Sequence, residues 1–262
     1  MTSIDDELFV LLPQDSDQLA VYCINDYRLL RRINLRGLRP VFENDLTSCA
    51  RHRCLYLSDY EHERVHRYDL ATSGRSALRR LISKTTRKWR VPGSPCGLSV
   101  TPSCNLLVTC HGPHKLVELS ADSGQCVREI ALHSDIECPL HGEQLTTGHY
   151  VVCERQTGWL CALHRVCIVD DDGRVTRSYG VQRGSGFGQL NCPLHLAVDK
   201  NSQYIFVADH YNHRVVLLSP TLEFVRYISE EMSGPYKLYV HQATRRLHVG
   251  QLHGDIIVIQ LM

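Results

Sequence analysis

The sequence has 262 residues, of which 43% are hydrophobic and 22% are charged, with a formal net charge of +1. A charge so close to zero gives no overall attraction to nucleic acid or to a membrane surface, so an electrostatic function must come from local clusters. The longest apolar run is well below the ~18 residues of a membrane-spanning helix. The first residues are acidic where a secretory signal would be basic. We therefore expect a cytoplasmic protein with no membrane partner.

The 12 cysteines stand singly in apolar runs or beside prolines, without any C-x-x-C pair. In a chain long enough to build a core, such cysteines are typical of reduced, buried thiols. A disulfide framework would suit a short secreted chain instead. The cysteines therefore agree with the cytoplasmic prediction.

In chain order, the sequence repeats one pattern of four short apolar runs separated by turn residues. A turn and a proline open the later repeats, at Pro95, Pro139, Pro193 and Pro235, and two less regular repeats precede them. Four strands at a period of about 40 to 55 residues are typical of a β-propeller blade. The sequence therefore predicts one all-β domain, a six-bladed β-propeller over residues 1–262. Its units are expected near 4–35, 44–82, 95–131, 139–179, 193–228 and 235–262.

The second strand of each later unit gives an independent marker of the repeat. These strands end at Asp59, Cys110, Glu154, Asp209 and Gln251, and a third strand follows each after a short turn. In the fourth unit the third strand begins later, which predicts an insertion in the turn at residues 157–159, around Trp159. Many strands are apolar nearly throughout, for example YIFVA and RVVLLS. Such strands are expected in a sheet that neighbouring sheets cover on both faces.

The two ends of the chain leave the closure of the ring open. The first unit shows no entering strand, and the last unit stops after three strands. Either residues 2–4 pair with the last blade, or both terminal blades have three strands. An exposed strand edge at this point would be a liability.

One segment, from Gly180 to Tyr227, resembles an NHL repeat. It has the glycine-rich turn, the G-Q-hydrophobic-x-x-P motif and the V-A-D-x-x-N-x-R motif of such a repeat. The matching residues are Gly186, Gly188, Gln189, Leu190, Pro193, Val207, Ala208, Asp209, Asn212 and Arg214. This specific similarity covers one blade, whereas the blade periodicity covers nearly the whole chain.

The resemblance implies a six-bladed propeller that serves as an interaction module. The NHL propellers of the tripartite-motif ubiquitin ligases are of this kind, so substrate recognition for a ubiquitin ligase is one implied role. Some NHL propellers bind single-stranded RNA, and the peptide-amidating lyases use a similar propeller with zinc-binding histidines. Protein scaffold, RNA binder and metal-dependent enzyme are therefore the three hypotheses.

The D-x-x-N-x-R motif of that segment consists of Asp209, Asn212 and Arg214. Aspartate and asparagine side chains close tight turns by bonding to nearby backbone groups. Because the motif spans the turn between a second and a third strand, we interpret it as part of the blade. We expect Arg214 to pair with Asp209.

Two basic stretches without acids predict a basic surface on the first two blades. It comprises Arg28, Arg31, Arg32, Arg36 and Arg39, then Arg75, Arg79, Arg80, Lys84, Arg87, Lys88 and Arg90, with Trp89 among the latter. Both stretches cover a fourth strand and the link to the next blade, and such links share one face of a propeller. Patches of this kind bind phosphate backbones, and Trp89 or Tyr27 would stack on a base. An acidic protein partner and a solvated loop are the alternatives.

Polar residues at two recurring positions predict a ring at one mouth of the propeller channel. They are His141, His195 and Lys237, each two residues after a blade proline, and Tyr60, His111, Arg155 and His210, each directly after a second-strand end. Neutral imidazole is a good zinc ligand. The histidines come from different blades without a local spacing motif, so a polar mouth without metal is the alternative interpretation.

The sequence contains no familiar catalytic motif. Its GSGFG segment leads into a strand, without the helix and lysine of a phosphate-binding loop, and neither G-x-S-x-G nor H-E-x-x-H occurs. We therefore expect no enzyme, no nucleotide or other cofactor and no metal. The first hypothesis is a propeller that binds a protein partner through the basic surface and the channel mouth. Single-stranded RNA binding is the second hypothesis, and a zinc-dependent, lyase-like activity is the third.

Overall fold

The computed structural model describes residues 1–11, 18–35, 38, 43–70, 87–155, 163–228 and 232–261. Within these ranges the regular structure is almost entirely β-strand, arranged in six separate antiparallel sheets. Each sheet follows the chain as an up-and-down meander, so strands that are consecutive in sequence are hydrogen-bonded neighbours. This is the propeller arrangement of blades that the periodicity predicts, and the predicted fold class is confirmed.

The chain divides into two compact units. The first comprises Met1–Cys110 and Val117–Arg128, and the second comprises His111–Leu116 and the residues from Glu129 onward. The first three sheets, or blades, belong largely to the first unit, and the last three belong to the second. The division passes through the outer strands of the third blade. Among the described helical turns, none is long and apolar enough to cross a membrane.

The first three blades each have four strands. Blade 1 contains β1 (Thr2–Ile4), β2 (Glu7–Leu11), β3 (Gln18–Cys23) and β4 (Leu29–Asn34). Blade 2 contains β5 (Leu46–Cys49), β6 (Cys54–Asp59), β7 (Arg64–Asp69) and β8 (Arg87–Arg90). Blade 3 contains β9 (Ser94–Val100), β10 (Leu106–His111), β11 (Lys115–Leu119) and β12 (Cys126–Ala131). The second blade thus ends at Arg90, not near residue 82.

The last three blades have four, four and three described strands. Blade 4 contains β13 (Pro139–Gln144), β14 (Tyr150–Arg155), β15 (His164–Val169) and β16 (Val175–Tyr179). Blade 5 contains β17 (Pro193–Val198), β18 (Ile205–Asp209), a 3-10 turn (His210–Asn212), β19 (Arg214–Leu218) and β20 (Phe224–Ile228). Blade 6 contains β21 (Pro235–His241), β22 (Arg246–Gln251) and β23 (Ile256–Gln260). The predicted insertion around Trp159 lies outside the described residues.

The N-terminal strand belongs to the first blade. β1 pairs antiparallel with β2, with Thr2 opposite Phe9 and Ile4 opposite Glu7. Neither arrangement considered for the chain ends therefore describes blade 1, because the blade has four strands and its first strand comes from residues 2–4. The last blade has the three strands that its sequence shows.

Blade 5 shows why its strands are apolar nearly throughout. Ile205 and Val207 pack into a core shared with blade 4, while Phe206 and Ala208 pack into a core shared with blade 6. Successive residues of a strand point to opposite faces of the sheet, so a sheet covered on both faces buries every residue. Full burial of one such aliphatic side chain contributes about 1.5–3 kcal/mol relative to exposure. In the first unit, corresponding cores lie between blades 1 and 2 and between blades 2 and 3.

Tight turns with a left-handed residue join the strands of blade 5. Gln203, His213 and Leu222 have φ values of 61°, 52° and 61° in its three successive hairpins. The backbone N–H groups of these residues donate back to the carbonyls of Asp199, His210 and Ser219, respectively. A non-glycine residue adopts this conformation only where its surroundings determine it. The turns therefore fix where each strand ends and which side chains stand there.

Candidate functional site

The D-x-x-N-x-R motif forms a closed network inside blade 5. The fully buried carboxylate of Asp209 accepts hydrogen bonds from the backbone N–H of Asn191 (2.6 Å), from Asn212 Nδ2 (2.8 Å) and from Arg214 Nε (2.8 Å). Arg214 also donates to the carbonyls of the glycine-rich turn and lies 3.9 Å above the ring of Tyr227. The expected pairing of Arg214 with Asp209 is confirmed. The motif ties the entering loop, the second strand and the third strand together.

The same position performs the same task in the neighbouring blades of the second unit. Glu154 accepts a hydrogen bond from the backbone N–H of Glu137 (3.2 Å) and forms a buried ion pair with Arg165. In blade 6, Gln251 accepts a hydrogen bond from the backbone N–H of Ser233. In blades 4, 5 and 6, an acid or amide at this position holds the loop that enters the blade. The residue at this position stabilises the blade, so the candidate functional side chains are those that follow it.

Of the six described cations of the predicted basic surface, three have partners within the protein. Arg31 donates through both terminal nitrogens to the carboxylate of Glu7, at 2.8 and 2.6 Å. Arg87 donates to the carbonyl of Asp122 at 2.8 Å, and Arg28 lies 3.8 Å from the carboxylate of Asp26. The remaining described cations, Arg32, Lys88 and Arg90, are exposed. The basic residues 36, 39, 75, 79, 80 and 84 lie outside the described residues, so the predicted basic surface stays a prediction.

Trp89 does not have the role that the sequence predicts for it. Its ring is buried, with the ring centroid 5.8 Å from that of Tyr56, and the backbone of Gly124 lies directly against it. Trp89 belongs to the core between blades 2 and 3. The prediction that this ring stacks on a base is therefore wrong, because the strand that carries the cations must bury an apolar residue between them. Tyr27, the other predicted stacking residue, is half-buried and stands in a turn with φ of 56°.

A bulge near the start of the first strand directs the residues that follow the blade prolines. The register of the first and second strands shifts between Pro139 and His141, between Pro193 and Leu196, and between Pro235 and Lys237. A bulge re-aims the side chain at its position. The equivalence of His141, His195 and Lys237, inferred from spacing, therefore corresponds to one repeated irregularity of the backbone.

His141 and His195 are neighbours in the second unit. Their ring centroids are 3.8 Å apart with an interplanar angle of 31°, and both side chains are buried. The rings are two potential ligands for a metal ion, and the zinc hypothesis stays a prediction.

Arg155 and His210, which stand at the second-strand ends of adjacent blades, are connected through Cys192. Arg155 ends β14, and its Nη1 donates to the Sγ atom of Cys192 at 3.2 Å. Cys192 is fixed through its backbone as well, since its N–H donates to His164 Nδ1 (2.9 Å) and its carbonyl accepts the N–H of His210 (3.2 Å). Arg155 is half-buried, whereas Cys192 and His210 are buried. We call His111, Arg155, Cys192, His210 and Tyr211 the strand-end cluster.

The 3-10 turn of blade 5 sets the orientation of His210. The Nδ1 atom of His210 lies 3.2 Å from the carbonyl oxygen of Pro235. A carbonyl only accepts, so Nδ1 carries the proton and Nε2 is the acceptor in the neutral ring. The ring of His210 lies 4.8 Å from that of Tyr211 and 6.0 Å from that of Tyr236, measured between centroids. The cluster thus has an ordered aromatic border.

At neutral pH, Arg155 is the fixed positive charge of the strand-end cluster. Burial lowers the pKa of His111 and of His210, and the charge of Arg155 lowers both further. The two imidazoles are therefore neutral near pH 7. Burial also raises the pKa of the Cys192 thiol and of the neighbouring Cys138 thiol, so neither supplies a thiolate to balance the guanidinium.

The sequence identified only part of this cluster. His111, Arg155 and His210 were predicted from their positions after the second strands, and Tyr60 follows β6 in the first unit as predicted. Cys192 and Tyr211 were missed. A signal for Cys192 was present, since Cys138 and Cys192 both directly precede a blade proline. Its hydrogen bond to Arg155 depends on how adjacent blades pack, which spacing does not show.

No sequence-family model matches the chain, and no curated protein matches it. Solved structures do match. Hydrazine synthase from Kuenenia stuttgartiensis has a TM-score of 0.67 and 14% identity, covering 99% of this chain and 94% of the other. Virginiamycin B lyase from Staphylococcus aureus has a TM-score of 0.60 and 10% identity over 99% of this chain and 83% of the other. A β-propeller domain from Myceliophteria thermophila has a TM-score of 0.61 and 12% identity over 98% and 80%, respectively.

The chain is a six-bladed β-propeller. Identities this low show the fold alone, so the finer resemblance to NHL repeats stays a prediction. The comparisons correct one expectation. We expected no enzyme, but the structures with this fold include a lyase and a synthase, so the propeller fold is compatible with catalysis. The expectation failed because it rested on local motifs. A propeller assembles a site from side chains of several blades, and such a site leaves no compact motif in sequence.

Proposed function

We propose that this propeller is a binding module that holds a partner protein against the strand-end cluster of its second unit. The observation that carries the proposal is the exposure of Tyr211 on a turn held by hydrogen bonds. Tyr211 is 56% exposed, and its ring lies beside that of His210. Exposed tyrosines that are already ordered before binding are typical of binding hot spots, because little side-chain entropy is lost on contact.

Hydrogen bonds hold the turn that carries Tyr211 on both sides. The N–H of Tyr211 donates to the carbonyl of Asn191 at 3.0 Å, and the N–H of His213 donates to the carbonyl of His210 at 3.2 Å. The side chain of Asn212 donates to the carbonyl of Gly184 at 2.8 Å. An exposed aromatic ring on such a turn keeps its position without a partner. This geometry supports recognition of a preformed surface or segment.

The groups around Tyr211 favour an acidic partner. Arg155 lies within the cluster, and Lys237 Nζ lies 5.8 Å from the ring centroid of Tyr236. Positive groups beside aromatic rings complement carboxylates of a partner and steer its approach. The same combination also suits single-stranded RNA. Because Trp89 is buried and six cations of the basic surface lie outside the described residues, we argue the protein partner and treat RNA as an outcome of the test.

A photo-cross-linking residue tests the proposal directly. Placed at position 211, p-benzoylphenylalanine should give a discrete cross-linked protein in an extract of the cells that express the chain. Tyr204 is the matched control, since it is a tyrosine of the same blade, 38% exposed, that precedes the opposite end of β18. Cross-linking at 204 should be absent or unspecific. The identity of the captured protein also tests the ubiquitin-ligase hypothesis.

Substitution should agree with cross-linking. Tyr211→Ser should weaken capture of the cross-linked protein, by at least about tenfold for a loss of about 1.4 kcal/mol, while Tyr204→Ser should not. Equal cross-linking from 211 and 204, or no effect of Tyr211→Ser, would reject the proposed surface. A mobility shift with random single-stranded RNA that weakens steeply with salt would favour the RNA hypothesis instead.

A further inference from the structure

Arg155 differs from the arginines of the protein that are paired with carboxylates. Arg31 and Arg53 each direct both terminal nitrogens at a carboxylate, and Arg165 and Arg214 each form an ion pair with a buried acid. Among the residues that the structure describes, no carboxylate lies within ion-pair distance of Arg155. Its preceding residue, Glu154, points to the opposite face of β14 and is bound to Arg165.

One edge of the Arg155 guanidinium has no hydrogen-bond partner among the residues that the structure describes. Nη1 donates to Cys192 Sγ at 3.2 Å, whereas the buried Nε has no acceptor in the described residues. The Nε and Nη2 hydrogens lie parallel on the same side of the planar group. This edge is the side-on fork that binds two oxygens of a carboxylate or phosphate.

The contact with Cys192 engages Nη1 and leaves the Nε–Nη2 edge without a partner among the described residues. A neutral thiol is a weak acceptor, so the contact orients the guanidinium without neutralising it. Burying a cation without an opposite charge is unfavourable. A protein gains by such an arrangement where a ligand supplies the missing charge.

We propose that Arg155 anchors an oxyanion site, in which its Nε–Nη2 edge binds a carboxylate or phosphate group beside the imidazoles of His111 and His210. The inference rests on the proposed function, since it names the chemical group by which the partner is held. The oxyanion belongs to an acidic or phosphorylated side chain, or to a free small molecule. Tyr211 and Tyr236 border the site and contact the remainder of the ligand.

The decisive measurement uses small anions on the intact chain. Imidazole signals of His111 and His210 are followed by NMR while acetate or inorganic phosphate is added at constant ionic strength, with chloride as the balancing ion. Saturable shifts confined to the strand-end cluster support the site. Shifts that are absent, that do not saturate, or that chloride reproduces would overturn it.

Three variants connect the shifts to Arg155. Arg155→Gln should weaken anion binding at least about tenfold, and Arg155→Lys by about three- to tenfold, because an ammonium group has no planar fork. Arg226→Gln is the matched control, since Arg226 is an exposed arginine on β20 of the same unit, and it should leave binding unchanged. If Arg155→Gln does not fold, Arg155→Lys and the titration of the natural protein still test whether Arg155 binds the anion. Unchanged affinity in Arg155→Lys would overturn the bidentate site.

Two further arms identify the source of the anion and separate this inference from the proposed function. A phosphoserine peptide, a glutamate peptide of the same sequence, and free phosphate distinguish a modified side chain, an acidic side chain and a small molecule. Partner cross-linking from position 211 is then repeated in Arg155→Gln. Persistent cross-linking in that variant, together with no saturable anion binding to the natural protein, would reject the oxyanion site and keep the proposed function. Anion binding without cross-linking would reject the protein partner and keep the site.

Discussion

The network around Asp209 makes a quantitative prediction about stability. Asp209→Ala removes a carboxylate that is fully buried and that accepts from three donors at 2.6–2.8 Å. Arg214, whose side chain is 11% exposed, is left with two carbonyl acceptors and the Tyr227 ring but without an opposite charge. Removing one partner of a buried ion pair costs about 3–5 kcal/mol. We expect Asp209→Ala to lower the free energy of unfolding by about 4 kcal/mol.

The matched control is the Asp172–Arg174 pair. Its separation is 2.9 Å, close to the 2.8 Å of the Asp209–Arg214 pair, but both of its side chains are 69% exposed. An exposed pair contributes at most about 1 kcal/mol, so Asp172→Ala should change stability little. The two variants therefore compare the same chemistry at opposite extremes of burial.

Urea unfolding followed by circular dichroism measures both variants. At about 2–4 °C per kcal/mol for a chain of this size, Asp209→Ala should also lower Tm by about 10 °C. If the two variants lose similar stability, the network around Asp209 does not hold the blade together. The motif would then have to be explained by function.

Three further predictions test other parts of the structure. In urea unfolding, Gly173→Ala should destabilise the protein by at least about 1 kcal/mol more than Gly254→Ala. A Cβ at position 173 would meet a backbone oxygen 1.9 Å away, whereas one at position 254 enters open space. Equal losses would contradict the close packing around Gly173. In Trp159→Phe, Trp89 is the sole tryptophan, and its emission should be that of a buried indole, unquenched by acrylamide and unchanged by RNA. Burial lowers the pKa of His248 from 6.5 to about 4, so protonation of the unfolded state should reduce stability by about 3 kcal/mol between pH 6.5 and 4. His248→Gln should flatten this dependence of the unfolding free energy on pH, and an unchanged dependence would refute the lowered pKa.

The sequence predicts the blades well because their causes are local. Prolines, turn residues and short apolar runs recur at a regular spacing, and each hairpin closes within its own few residues. The arrangement of residues 2–4 was not predictable in the same way. The sequence of Thr2–Ile4 is compatible with pairing to either the first or the last blade, and only the observed register with β2 places this strand in blade 1.

The predicted site residues stay a prediction, except that the structure contradicts the exposure expected of Trp89. Repetition identified Arg155 and His210 because both follow the end of a second strand. It also marked Trp89 as exposed, since the tryptophan stands among cations on β8. Strand geometry reverses this conclusion, because alternate residues of β8 point to opposite faces and one of those faces is core. The absence of a familiar catalytic motif from the sequence was likewise no evidence against an enzyme.

The sequence by itself determines the number of blades, their strand order and the polar residues that end their strands, because these depend on neighbours in the chain. Tertiary packing decides the chemical state of those residues. It buries Asp209 against Arg214, places the ring of His141 against that of His195, and brings Cys192 to Arg155 from the adjacent blade. Charge and reactivity depend on which groups replace water around a side chain, and in a propeller those groups come from distant parts of the chain.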